Sequence, residues 1–476
     1  MTWTRREFLA GAATGAGLGV AVAAAPRFLL ADPARPPDLY EYDVDSYWFD
    51  SSGLRDEPLR APLRGDAKAD VAIIGGGFTG LATAIAIARR QPGRRVVVLE
   101  GARCGYGASG RNGGFADVAY TGFPAFARAH GPEAARRVYD VIASGLRAIE
   151  RFVADDGVAC DLEHNGSIRM AATDAQRAVL EAEQAGLAAM GVPARLVDGA
   201  ELRTLVNTVR FHSALVAGDT AILNPAKLAR GMARVAESLG VGIHEATRVL
   251  RVEPGRPIGI PTEHGRVEAA QAVLATNGYT PQLGVFRTRL LPLCNYVVAT
   301  EPLSPAQWDA IGWTGRQGLS DARVQFMYLR PTADGRIVAG GEMAPYFEDS
   351  RPSSGNYAPA IEKLKRSLVE TFPALEGVRF SHAWGGTMAF TRDFTPRIGP
   401  LGDDGNLFFG LGYCGEGVVM SQVAGRILAG FVAGEAAEFA GLPFVGGVPP
   451  WIGFEPLRSI GAKAAEAAMR ALAGES

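Results

Sequence analysis

The chain has 476 residues, 47% hydrophobic and 21% charged, which is enough to bury a large core in two domains. A formal net charge of −2 excludes the concentrated basic surface that a phosphate backbone requires, so nucleic acid is not an expected partner. Four cysteines (Cys104, Cys160, Cys294, Cys414) and six histidines are scattered, without a CxxC or HExxH, so neither a metal nor a disulfide framework is expected.

In chain order, residues 1–31 come first. Thr4-Arg5-Arg6-Glu7-Phe8-Leu9 precedes a Gly/Ala-rich apolar run that reaches Ala25, followed by Pro26 and Arg27. Paired arginines before a weakly hydrophobic run read as a twin-arginine export signal, implying passage of the folded chain through the twin-arginine translocation machinery to the periplasm. The alternative, an amphipathic cytoplasmic helix, lacks an apolar stripe and would carry four glycines between Gly11 and Gly19. Cleavage at Ala31 or within Ala23–Ala25 stays open. Residues 32–65, rich in Pro, Asp and Arg, read as a linker and lead-in. No later run reaches the apolar length that spans a bilayer.

Val71-Ala72-Ile73-Ile74 suits a buried parallel strand. Gly75, Gly77 and Gly80 follow at G-x-G-x-x-G spacing, with Phe78 and Thr79 opening a helix whose Leu81, Ala84, Ile85 and Ala88 share one face. Gln91-Pro92-Gly93 ends that helix, and Val96-Val97-Val98-Leu99 forms a second strand ending in Glu100. The first glycine makes the turn, the second lets backbone approach a pyrophosphate, and the third lets helix pack on strand. The helix N-terminus faces the phosphates, and Glu100 accepts from ribose hydroxyls, favouring an adenosine without a 2′-phosphate.

A second glycine-rich stretch follows soon after the acid: Tyr106-Gly107-Ala108-Ser109-Gly110-Arg111-Asn112-Gly113-Gly114. Together with Tyr47-Trp48, Ala275-Thr276-Asn277-Gly278, Tyr328–Gly341 and Gly412-Tyr413-Cys414-Gly415-Glu416-Gly417-Val418, it resembles the D-amino acid oxidase superfamily. The wording is nearest to its gamma-glutamylputrescine oxidase and sarcosine/glycine oxidase branches, over nearly the whole mature chain.

The resemblance implies FAD, with Gly107, Ala108, Ser109, Arg111, Asn112, Gly113 and Gly114 against the pyrophosphate and flavin ring. It places Val249 near the adenine. Gly412, Gly415 and Gly417, ahead of a helical stretch from Val418 to Val432, would face the flavin's pyrimidine edge, where a helix N-terminus stabilises negative charge. Relatives that attach flavin covalently use a cysteine near Gly386–Thr391 or a histidine in the loop holding Arg111-Asn112; neither stands here, so non-covalent FAD is expected.

The expected fold is α/β, a Rossmann-like FAD-binding domain with a mixed α+β substrate domain. The former is discontinuous, from 66–125, 215–285 and 380–435; the latter takes 126–214 and 286–379. A tail at 436–476 carries an amphipathic helix, Pro456–Leu472, expected to dock through Leu457, Ile460, Ala464 and Ala468.

The implied reaction moves hydride from a carbon bearing nitrogen to flavin N5, leaving an imine that hydrolyses, with oxygen or a respiratory carrier as final acceptor. The substrate is a small amine or amino acid. Tyr328 and Arg330, on one strand face, and Trp384, as a wall, are the candidate substrate-side residues. Glu416 either recruits a cationic amine and tunes the flavin, or caps the following helix. A flavin monooxygenase and a non-catalytic flavoprotein are the other classes. The former usually carries a GDAAH-like fingerprint where this chain has Gly412-Tyr413-Cys414-Gly415.

Overall fold

A computed structural model of the protein describes residues 46–323, 325–342, 344–346 and 357–472. The proposed export segment 1–31 and linker residues 32–45 lie outside them.

The expected βαβ unit forms the heart of a mixed seven-stranded sheet. Ala67–Ile74 pairs in parallel with Val96–Leu99 on one side and Gly265–Leu274 on the other. Gly242–His244 extends the sheet beyond Val96–Leu99, and Leu407–Leu411 then Arg397–Pro400 extend it beyond Gly265–Leu274. Ile258–Thr262 adds an antiparallel hairpin arm to Gly265–Leu274. The helix Phe78–Arg90 buries Leu81, Ala84, Ile85 and Ala88, the face read from their spacing. Against it packs the helix Gly417–Ala433, and Gly425 sets the approach: a Cβ there would sit 2.5 Å from Ala82 Cβ.

The second layer is an eight-stranded sheet in the order Phe380–Phe390, Leu291–Thr300, Ile337–Gly341, Met327–Pro331, Gly318–Asp321, Ser167–Ala171, Ser213–Ala217, Ala194–Asp198. A two-stranded ribbon, Phe115–Asp117 with Thr220–Ile222, links the two layers.

These pairings move three of the sequence-based domain boundaries. Ser213–Ala217 and Phe380–Phe390 hydrogen-bond within the eight-stranded sheet, so the breaks at 215 and 380 fall inside substrate-side strands. The helix Phe123–Asp155, interrupted at Gly131 (φ 79°) before Pro132, sends Ala135, Val138, Ile142, Leu146 and Ile149 into the cofactor-side core, so the break at 126 also moves. Its Gly145 has Val419 and Val423 where a Cβ would stand, the reason no larger residue fits.

The tail helix runs Leu457–Leu472. Its docking differs from expectation: Leu457 and Ile460 stay 55% and 60% exposed, while Arg458 and Ser459 are buried. Polar contacts explain the reversal. Glu455 accepts from Arg458 at 2.9 Å and from Ser459 Oγ at 2.5 Å, while Arg458 also donates to the Leu290 carbonyl at 3.4 Å.

Candidate active site

The first glycine turn is tight for identifiable reasons. Gly75 has φ +108°, and a Cβ on it would lie 2.7 Å from the Ala275 carbonyl oxygen. A Cβ on Gly80 would fall 1.9 Å from the Gly75 carbonyl oxygen, so the third glycine lets the helix close on its own turn. Gly77 is the N-cap of that helix and has no side chain to bond its first-turn amides. Glu100 accepts from Gly76 N–H at 2.7 Å and from Ala102 N–H at 2.9 Å. Burial pushes its carboxyl up to about 7 against those bonds.

The second glycine stretch is lashed to the first. Ser109 Oγ accepts from Phe78 N–H at 2.9 Å, so this hydroxyl orders the helix N-terminus. Arg111 is buried, stacks over the Tyr106 ring at 4.6 Å and donates to the Tyr106 carbonyl. Two tryptophans hold the loop from behind: Trp384 Nε1 donates to the Arg111 carbonyl and Trp48 Nε1 to the Asn112 carbonyl, each at 2.8 Å.

The third stretch closes the ring. Gly412 (φ +76°) donates to Asn277 Oδ1 at 3.0 Å, and Tyr413 Oη meets Thr79 Oγ1 at 2.8 Å. Cys414, in the left-handed region at φ 53°, is buried, with its thiol pushed up to about 12 by that burial.

A cavity of about 1080 Å³ joins these stretches to the substrate-side sheet, beyond the usual small-ligand range of roughly 300–1,000 Å³. Of the residues expected at the cofactor, Gly75, Gly77, Phe78, Thr79, Glu100, Gly107, Ala108, Ser109, Arg111, Asn112, Gly113, Val249, Gly415 and Gly417 border it. Gly80, Gly114 and Gly412 stand behind its wall. A turn of three tight glycines, an acid fixed at the second strand end and a helix N-terminus capped by glycine fit a dinucleotide.

Of the candidate catalytic residues, Tyr328 and Glu416 border the cavity. Tyr328 lies edge-on to Phe115, ring centres 5.4 Å apart, and takes the space that a Cβ on Gly113 or Gly340 would need. Glu416 occupies the N-cap position of Gly417–Ala433, and its side chain makes no cap hydrogen bond.

Arg330 and Trp384 do not reach the cavity, which corrects both assignments. Arg330 shares the strand face of Tyr328 but lies two residues deeper, where its guanidinium donates to the Leu223 carbonyl at 2.5 Å and the Pro331 carbonyl at 2.9 Å and sits over Trp48. Trp384 is sealed under Trp48 and the Arg111 carbonyl. Both support the Gly107–Gly114 loop from outside the cavity.

Comparison with known proteins decides the family. The sequence profile of the FAD dependent oxidoreductase family matches residues 70–430. The chain belongs to that family.

This FAD-dependent oxidoreductase is 30% identical to the gamma-glutamylputrescine oxidoreductase of Escherichia coli over 391 residues, 79% of this chain and 88% of the relative. It is 29% identical to the probable oxidoreductase OrdL of Haemophilus influenzae, over 83% of this chain and 90% of that one. In structure it resembles glycine oxidase from Geobacillus kaustophilus (TM-score 0.67, 20% identity, 80% of this chain and 99% of that chain), a likeness of fold. FAD is therefore the cofactor.

Sequence reasoning missed Trp48 as a loop support and Asn277 as the partner of Gly412. Both stood inside matched segments, but a segment match carries no side-chain direction. Asn277's positive φ of 41° suits a short polar residue in a turn, a signal legible once the turn is known.

Proposed function

We propose that this FAD-dependent oxidoreductase oxidises a carbon–nitrogen bond of a small amine or amino acid. The observation that carries the reading is one continuous cavity running from the glycine turns to the Phe115–Tyr328 wall, which gives substrate and flavin a shared space. The relatives named for gamma-glutamylputrescine and for glycine support the same bond type. Bound FAD supplies a hydride acceptor at N5, and the imine left behind hydrolyses to a carbonyl and an amine.

The chain's own residues orient and desolvate. The rings of Phe115 and Tyr328 exclude water, which keeps the reacting amine neutral and its lone pair available. The first-turn amides of Gly417–Ala433 offer a positive dipole end to charge developing in the cavity. Oxygen or a respiratory carrier then takes the electrons. Anaerobic mixing with a panel of amines and amino acids tests the reading: at least one must bleach the flavin absorbance, and no bleaching by any donor overturns it. Acid precipitation is expected to release intact FAD, since Gly386–Thr391 holds no cysteine and Arg111-Asn112 no histidine.

We further propose export through the twin-arginine pathway to the periplasm, supported by Arg5-Arg6 and the weakly apolar run behind them. Replacing both arginines by lysine should trap FAD-loaded protein in the cytoplasm; undiminished periplasmic activity overturns this.

A further inference from the structure

Residues 32–65 read as a linker and lead-in, and the family match starts only at residue 70. The described part of this segment is nonetheless bound to the body at one side chain after another. Glu57 lies 2.6 Å from the Arg230 guanidinium. The Arg60 backbone N–H donates to Glu245 Oε2 at 2.9 Å, and its guanidinium reaches Glu245 Oε1 at 3.2 Å. Two further bonds of 2.7 Å tie that guanidinium to Glu237. Leu63 N–H donates to Thr247 Oγ1 at 2.9 Å.

These contacts converge on Glu245, a carboxylate with no exposed surface. Arg230, itself buried, pairs with it from the helix Pro225–Ser238. Cys104 N–H donates to it at 2.7 Å. A buried charge is costly unless every donor around it is in place. Glu245 therefore fixes three pieces of chain against one another: the lead-in, the helix and the loop that follows Glu100.

The segment around Glu245 also holds that loop through its backbone. Glu100 N–H donates to the His244 carbonyl at 2.9 Å, Thr247 N–H to the Glu100 carbonyl at 2.8 Å, and Ala246 N–H to the Ala102 carbonyl at 2.7 Å. Cys104 Sγ lies 2.8 Å from where a Cβ on Gly76 would stand, so the loop also packs under the first glycine turn. Glu100 is the acid expected to accept from the adenosine ribose, and both Glu100 and Val249 border the cavity. From the lead-in to the ribose acid there are only two steps, first to Glu245 and Thr247 and then to the Glu100 loop.

We propose that residues 57–63 form a strap that fixes the adenosine end of the FAD site, with Glu57 and Arg60 as positioning residues acting through Glu245. Coupling of this kind is reciprocal. A docked strap tightens FAD, and adenosine held at Glu100 keeps the strap docked. The strap governs how firmly the cofactor is retained and has no part in the choice of amine.

The test uses the whole chain freed of FAD. Trypsin cutting after Arg55, Arg60 and Arg64 is followed by mass spectrometry with no addition, with FAD, with ADP and with FMN. FAD and ADP should each slow cutting there by roughly tenfold, and FMN should leave it unchanged, because only the first two carry adenosine. Glu57→Ala and Arg60→Met should each raise the dissociation constants of FAD and of ADP by roughly tenfold. Cutting that ignores FAD and ADP, or variants that bind both as tightly as the parent, overturns the strap. Protection by FMN equal to that by ADP overturns its assignment to the adenosine end. Should a variant fail to fold, the ligand dependence of cutting in the parent decides.

Discussion

A guanidinium withdrawn from water needs an acceptor for each N–H it buries, and Arg330 finds its acceptors in the main chain at Leu223, Gly114 and Pro331. Arg330→Met should leave the Leu223 carbonyl without this donor and lower stability by about 2–4 kcal/mol without moving substrate preference. Denaturant unfolding beside substrate kinetics checks this; a changed preference at unchanged stability would restore a substrate role. Glu416 is the opposite case, since it borders the cavity and does not cap its helix. Glu416→Gln should weaken amine affinity several-fold and shift the pH dependence of flavin reduction at nearly full FAD content; identical rate, affinity and pH profile make it a bystander. The glycines at 75, 77 and 80 were legible in the sequence because the backbone itself demands them, as the 1.9 Å approach at Gly80 shows. Arg330 and Trp384 were not, because alternation tells which face a side chain takes and not where along the strand the cavity ends.

Among the elements, the tail helix departs most from its pattern. Spacing alone predicts that Leu457 and Ile460 dock, yet the buried contact is polar and centred on Glu455. Burial works against that carboxylate's charge, but bonds from Ser459, Tyr346 and Arg458 win and hold it down at about 2, from an ordinary 4.5. A depressed folded value contributes stability above the ordinary value, and that contribution drains away as pH falls from about 4.5 toward about 2. The tail should therefore become sensitive to pepsin in that window before the body does, and Glu455→Gln should expose it to proteolysis at neutral pH. Equal digestion of parent and variant tails would show that other contacts hold the helix. Hydrophobic periodicity served well for Phe78–Arg90, where Leu81, Ala84, Ile85 and Ala88 are all buried. It misled at 457–472, where one ion pair outweighs two aliphatic side chains.

For the whole molecule, all four cysteines are free and buried, and burial pushes the Cys160 and Cys414 thiols up to about 12. The native protein should then consume no thiol reagent at pH 8 until it is unfolded, and a fast-reacting thiol would reveal that the Cys414 loop opens. The first glycine motif made the βαβ unit readable and the family resemblance implied the second domain, but the seams between them were not readable. Pairing partners far apart in the chain, such as Leu291–Thr300 with Phe380–Phe390, leave no local trace. That remoteness governs how the chain is made. Ala67–Ile74 lies at the middle of its sheet, yet its neighbour Gly265–Leu274 and the next strand, Leu407–Leu411, leave the ribosome much later, at about 5–20 residues per second. The strand Ala67–Ile74 must therefore wait, apolar and half-paired, until Gly265–Leu274 has been translated, and that partner waits in turn for Leu407–Leu411. A nascent chain stalled anywhere before Ala433 lacks part of the Gly417–Ala433 helix and should be unable to retain flavin.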